Sequence, residues 1–80
     1  MIEVKVSYYA LFREQAGQSE EVLSVDSPKA SELYATLQST YGFALSLDQL
    51  RVAVNDTFVP WDTQLSEGDH IVFIPPVAGG

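Results

Sequence analysis

The residues best placed to do chemistry are the last two, Gly79 and Gly80. They end the segment Pro75-Pro76-Val77-Ala78-Gly79-Gly80, in which two prolines favour an extended root and side-chain bulk then falls away. Six extended residues reach at most roughly 20 Å, enough to enter an active site on another protein. Without Cβ atoms, the glycines fit a narrow channel and leave the Gly80 carboxylate open to approach. An ionised carboxylate is a poor electrophile, so ATP would have to convert it to a mixed anhydride with AMP. No phosphate-cradling glycine loop occurs in the chain, and that step therefore belongs to another protein. Once activated, the terminus could take sulfur as a thiocarboxylate or an amine as an amide. With no cysteine, the chain cannot hold a persulfide on a side chain, and the terminus becomes the natural sulfur site. Chain ends commonly fray without purpose. Gly-Gly directly after a strand and Pro-Pro favours the functional reading.

Other chemistry is poorly supported. Asp69 and His70 are neighbours on a strand and face opposite sides, which rules out a base and its orienter. His70 is the only histidine and has no partner for zinc; it reads as a solvated strand-edge residue. Arg13 and Arg51 could bind a partner's carboxylate, but a plain surface role is preferred, and Trp61 and the tyrosines read as packing aromatics. Phe58 suits core or interface equally. No self-contained active site is visible. The formal charge is −7, and the four basic residues (Lys5, Arg13, Lys29, Arg51) are scattered, which argues against nucleic acid. The start Met1-Ile2-Glu3-Val4 lacks the basic and apolar regions of a signal peptide, and no apolar run approaches bilayer length. A cytoplasmic location is expected.

Eighty residues, 46% of them apolar, suffice for one core. Ile2, Val4, Val6 and Tyr8 alternate with Glu3, Lys5, Ser7 and Tyr9, predicting a strand with one buried face. Ala10 to Gly17 is a connection with about one helical turn. Glu20 to Val25 predicts the returning strand of a hairpin. Ser27-Pro28 opens a helix, Ala30, Leu33, Tyr34, Leu37 and Tyr41 form its apolar face, and Gly42 ends it. A loop with Leu45, Leu47 and Leu50 leads to a strand over 51–55, a turn at Asn55-Asp56 and a short strand over 57–59 that Pro60 ends. Glu67-Gly68-Asp69 turns the chain into a last strand, His70 to Ile74. This order predicts an α+β fold: a ubiquitin-like β-grasp with a small mixed sheet on one main helix, first and last strands adjacent in the middle. Residues 1–74 form the domain and residues 75–80 the extended tail.

The last strand is apolar on both faces. Ile71 and Phe73 would pack under the helix, leaving Val72 and Ile74 on the side that one helix cannot cover. A central strand is often apolar on both faces, yet exposed apolar neighbours also mark partner surfaces. Because the tail emerges there, the partner reading is preferred.

These features resemble the small subunit of molybdopterin synthase, the MoaD-like sulfur carriers, over nearly the whole chain. Leu11-Phe12-Arg13-Glu14-Gln15-Ala16-Gly17 is similar to that family's segment after the first strand, and Val52-Ala53-Val54-Asn55 to its third strand and turn. The most specific match runs from Leu65-Ser66-Glu67-Gly68-Asp69-His70 through Pro75-Pro76-Val77-Ala78-Gly79-Gly80. The chain departs from the pattern at His70, where an acidic residue is common, and at Lys29, where Thr often opens the helix. The resemblance implies that a ubiquitin-activating-like adenylyltransferase uses ATP to form an acyl-adenylate on Gly80, and that a sulfur donor protein converts this to a thiocarboxylate. The large subunit would then move the sulfur to a cyclic pyranopterin monophosphate within a heterotetramer, and would own the catalytic acids and bases. This chain would bind no cofactor of its own. Phe58, Val72 and Ile74 with Pro75, Pro76 and Val77 would dock partners, while Ala78 and Gly79 lead Gly80 into the active site. A thiamin-pathway sulfur carrier and a ubiquitin-like protein modifier are the alternatives.

Overall fold

Alternation of Val4 and Val6 with Glu3 and Lys5 produces β1 (Ile2–Ser7), in which Val4 and Val6 are fully buried and Ile2 is half-buried. The computed structural model describes residues 1–75; of the expected tail, Pro76, Val77, Ala78, Gly79 and Gly80 lie outside the described residues. After β1 the chain forms α1 (Ala10–Ala16), two turns where the sequence predicts about one. Burial of Phe12 accounts for the extra length, because tertiary packing can hold a helix too short to persist alone. Gly17 closes it in the left-handed region at φ 75° and donates its N–H to the Arg13 carbonyl.

Next come β2 (Glu20–Val25), the main helix α2 (Ala30–Tyr41) and a single 3₁₀ turn (Leu47–Gln49). The chain then forms β3 (Arg51–Val54), β4 (Thr57–Val59) and β5 (His70–Ile74). They make one five-stranded sheet in the order β2-β1-β5-β3-β4. β1 and β5 run parallel at its centre and the other pairs are antiparallel, giving the mixed sheet and the adjacent first and last strands that the element order predicts.

The start of α2 differs from expectation. Ser27-Pro28 does not cap the helix: its N-cap is Lys29, and Ser27 takes a positive φ of 55°. The Ser27 hydroxyl instead donates to the Leu65 carbonyl at 2.7 Å. Free N–H groups at a helix start need acceptors, and here a distant loop provides them. Ala30 N–H donates to Thr63 O at 2.9 Å and Ser31 N–H to Trp61 O at 3.0 Å. Glu32 folds back to accept from Lys29 N–H at 2.8 Å. The apolar face is as predicted, with Ala30, Leu33, Tyr34 and Leu37 buried, and Gly42 ends the helix at φ 72°.

Beneath α2 the core is rich in aromatic rings. Phe12 lies 4.9 Å from Phe43 and 6.3 Å from Phe73, Tyr34 lies 5.0 Å from Phe73, and Trp61 stacks on Phe73 at 6.1 Å. Trp61 and the tyrosines are therefore packing groups, as expected, except Tyr9, which is 55% exposed just after β1.

One carboxylate joins three elements of this core. Glu21 on β2 accepts from Tyr8 at 2.8 Å and from Tyr41 of α2 at 2.7 Å, while Gln18 Nε2 donates to the Tyr41 oxygen at 2.8 Å. Burial, then the Glu21 hydrogen bond, raises the Tyr8 phenol above its ordinary value of 10.0. The same carboxylate, then burial, raises Tyr41. The fold thus favours both neutral phenols, so their stabilisation is fully present below the unfolded value and is lost as pH rises beyond it. Urea midpoints are expected to hold from neutrality to about pH 9, then fall above about pH 10, with a shallower fall in Tyr41→Phe. Equal midpoints at about pH 8 and pH 11 would contradict this coupling.

Candidate functional site at the root of the tail

The geometry of the site follows from β5. Ile71 and Phe73 are fully buried against the helix side, whereas His70, Val72 and Ile74 are half-buried on the opposite face. In the register, Val72 faces Ala53 and Ile74 faces Arg51. Ala53 in turn faces Phe58 on β4. Val72, Ala53 and Phe58 therefore form a row across three strands, with Ile74 and Arg51 beside it. Flanked in this way, Ala53 is only 7% exposed although no helix covers it. Phe58 is 56% exposed, so it is no core residue. Pro75, half-buried, is the last described residue and leaves from the end of this patch.

The hairpin that presents Phe58 is set by Asn55-Asp56, with φ of 53° and 69° as a type I′ turn requires. Asn55 also ties the hairpin to β5: its Oδ1 accepts from His70 N–H at 3.0 Å and its N–H donates to His70 O at 2.8 Å.

Two shallow clefts flank Phe58. One, of about 440 Å³, is lined by Arg51, Phe58, Val59, Pro60 and Trp61 among others. The second, of about 410 Å³, includes Asp48, Arg51, Phe58, Ile74 and Pro75. Arg51 and Phe58 belong to both, and the guanidinium carbon sits 5.1 Å from the ring centroid. Arg51 is exposed, as its sequence context suggests, and it packs against Phe58.

His70 also needs correction. It lies on a central strand rather than an edge and is half-buried, with Nε2 2.6 Å from the Ser7 hydroxyl. This bond explains why Ser7, on the uncovered face, is only 6% exposed. Asp69 turns away, accepting from Ser66 N–H at 2.8 Å and Asn55 Nδ2 at 3.0 Å. The pair therefore forms no acid–base relay.

Val72, Ile74, Phe58 and Pro75 thus share one surface, while Pro76, Val77, Ala78, Gly79 and Gly80 fall outside the described residues. Among the described residues no group of His, Cys, Asp and Glu is arranged to hold a metal, and no helix is long and apolar enough to cross a membrane. What this surface can do chemically is bind. Several exposed or half-exposed apolar side chains surround the root of the terminus, so a protein that buried them would also receive the residues that follow.

The sequence of residues 6–80 matches the ThiS family. The chain is 35% identical over 80 residues to the molybdopterin synthase sulfur carrier subunit of Escherichia coli (strain K12), covering 96% of this chain and 99% of that protein. Its fold is similar to a putative molybdopterin converting factor, subunit 1, from Pyrococcus furiosus. There the TM-score is 0.80 at 29% identity, covering 96% of this chain and 100% of that one. It is also similar, with a TM-score of 0.70 at 28% identity, to a chain in the complex of subunits 1 and 2 of the molybdopterin-converting factor from Helicobacter pylori. That match covers 99% of this chain and 100% of that one.

Proposed function

Since the chain belongs to the ThiS family, we propose that it is the sulfur-carrying subunit of a molybdopterin synthase, with the Gly80 carboxylate as the carrier group. The observation that carries this reading is the end-to-end similarity to a protein of that name, at 35% identity. In the proposed cycle, a carboxylate oxygen of Gly80 attacks the α-phosphorus of ATP on an adenylyltransferase and pyrophosphate leaves. Sulfur delivered by a donor protein at the sulfide level, with any persulfide first reduced by a thiol, attacks the acyl carbon; AMP leaves and a thiocarboxylate remains. The large subunit receives the tail, and the thiocarboxylate sulfur forms a carbon–sulfur bond on a cyclic pyranopterin monophosphate in place of a carbon–oxygen bond. Water then cleaves the acyl–sulfur bond, which leaves the sulfur on the pterin and returns the Gly80 carboxylate. Each dithiolene needs two sulfurs, so two charged carriers serve each precursor, in keeping with a heterotetramer of two copies of each subunit. The apolar surface of Phe58, Val72, Ile74 and Pro75 supports docking, because it lies where the tail leaves the sheet. A partnership with a second subunit is further supported by the complex formed by the Helicobacter pylori relative.

Intact mass after co-expression with an activating enzyme and a sulfur donor tests the carrier step. The expected result is a gain equal to one oxygen replaced by sulfur, confined to the C-terminal peptide. Adducts joined to lysines of other proteins would indicate a modifier instead. Mixing the charged chain with purified large subunit and precursor should then yield the dithiolene; a charged chain that yields none would remove the molybdopterin assignment.

A further inference from the structure

We propose that Arg51, held against the ring of Phe58, is a docking residue that receives a carboxylate side chain of the large subunit. This rests on the carrier reading above and specifies the chemistry of its interface. The guanidinium carbon lies over the Phe58 ring, 5.1 Å from its centroid. The guanidinium N–H donors make no hydrogen bond or ion pair among the described residues, and a guanidinium's planar fork suits a two-pronged contact with a carboxylate. A lysine here could offer no such fork.

Charge placement points the same way. The chain carries eleven acidic and four basic residues, yet the uncovered faces of β3, β4 and β5 present Arg51, Ala53, Phe58, His70, Val72 and Ile74, with no carboxylate among them. The ion pair among the described residues is Lys5–Glu20, on β1 and β2. Arg51 lines both clefts beside Phe58, and one of them reaches Ile74 and Pro75; Asp48 lines that cleft too, but it forms no ion pair with Arg51 among the described residues. A partner that covers Phe58 and Ile74 must strip water from Arg51 as well. Burying a cation unpaired is costly, so a partner that fits this surface has to supply an anion at that point. The pairing would also fix the orientation of docking beside the root of the tail, which apolar contact alone does not do.

Titration of the full-length chain with purified large subunit, at low and high salt, tests the assignment. Arg51→Ala is expected to weaken binding by roughly 30-fold and to flatten its salt dependence. Arg51→Lys should recover only part of the loss, and Arg51→Glu should bind more weakly than either. Arg51 is exposed, so thermal midpoints should match the parent and exclude misfolding. An Arg51→Ala affinity within about twofold of the parent, where deletion should cost tenfold or more, would overturn the proposal. Tighter binding by that variant would do the same, showing that Arg51 holds the chain's own terminus or opposes the partner. Loss of self-association in sedimentation with unchanged partner affinity would assign the surface to a second copy instead. If the parent itself fails to bind the large subunit, the carrier reading falls together with this assignment. If the parent binds and Arg51→Ala binds equally well, only the assignment falls.

Discussion

A chain lacking Gly80 is expected to gain no sulfur and to support no dithiolene formation, while its thermal midpoint stays that of the parent. Removing one residue withdraws the carboxylate by up to roughly 3.5 Å along an extended chain. Misplacement of a reacting group by about 1 Å can cost about 100-fold, so a shift several times larger takes the carboxylate out of reach of both the adenylating and the transferring site. The fold should not register the change. Among the described residues, the buried core runs from Val4 to Phe73. The check is intact mass for charging, dithiolene yield for transfer and urea denaturation for the fold, all on the same preparation. Charging at near-parent levels would show that Gly80 is not the carrier.

The second large effect is expected at Phe12. Phe12→Ala should lose about 3–5 kcal/mol of stability, the usual cost of removing a buried aromatic ring. A domain of this size is stabilised by roughly 4–12 kcal/mol in total. The substitution therefore removes a large share, and urea denaturation should show a sharply lowered midpoint. The cause is specific. Phe12 is fully buried and makes edge contacts with Tyr34, Phe43 and Phe73 at 6.2, 4.9 and 6.3 Å. Phe73 belongs to β5, whose other face carries Val72 and Ile74, so a cavity at Phe12 also loosens the strand that presents the docking surface. Partner affinity should fall alongside stability. Phe12→Leu, which keeps most of the volume, should cost clearly less than the alanine change. A loss under about 1 kcal/mol for Phe12→Ala would mean that α1 is not anchored by this ring.

Much of the site is legible in the order of residues, including one point that the local pattern leaves open. Phe58 reads equally well as core or interface when taken alone. The two-residue turn Asn55-Asp56 nevertheless pairs Val54 with Thr57 and Ala53 with Phe58. Once Val52 and Val54 are placed in the core, Ala53 and its partner Phe58 must face the other way. Register thus decides the exposure of Phe58 and puts Arg51 on the same face. His70 reads wrongly as an edge residue because strand position, edge or centre, depends on which strands come together. Nothing within His70–Ile74 states that β1 and β3 lie on either side of it.

By itself, the amino-acid sequence determined the elements and their apolar faces. Periods of 2 and 3.6 are local properties: Val4 and Val6, Leu33 and Leu37, Ile71 and Phe73 are buried where their spacing places them. It also determined the cysteine-free composition and the Pro-Pro-Val-Ala-Gly-Gly ending, which first pointed to a carrier. The tertiary structure alone decided what depends on residues far apart in the chain. Helix α2 starts at Ala30 and not at Pro28 because carbonyls of Trp61 and Thr63 accept its first N–H groups and Leu65 claims the Ser27 hydroxyl. Segment 10–16 is helical because Phe43 and Phe73 receive Phe12. Arg51 meets Phe58 because two strands pair. In each case the contact joins segments that no local pattern relates, and its energy appears only once the chain has brought them together.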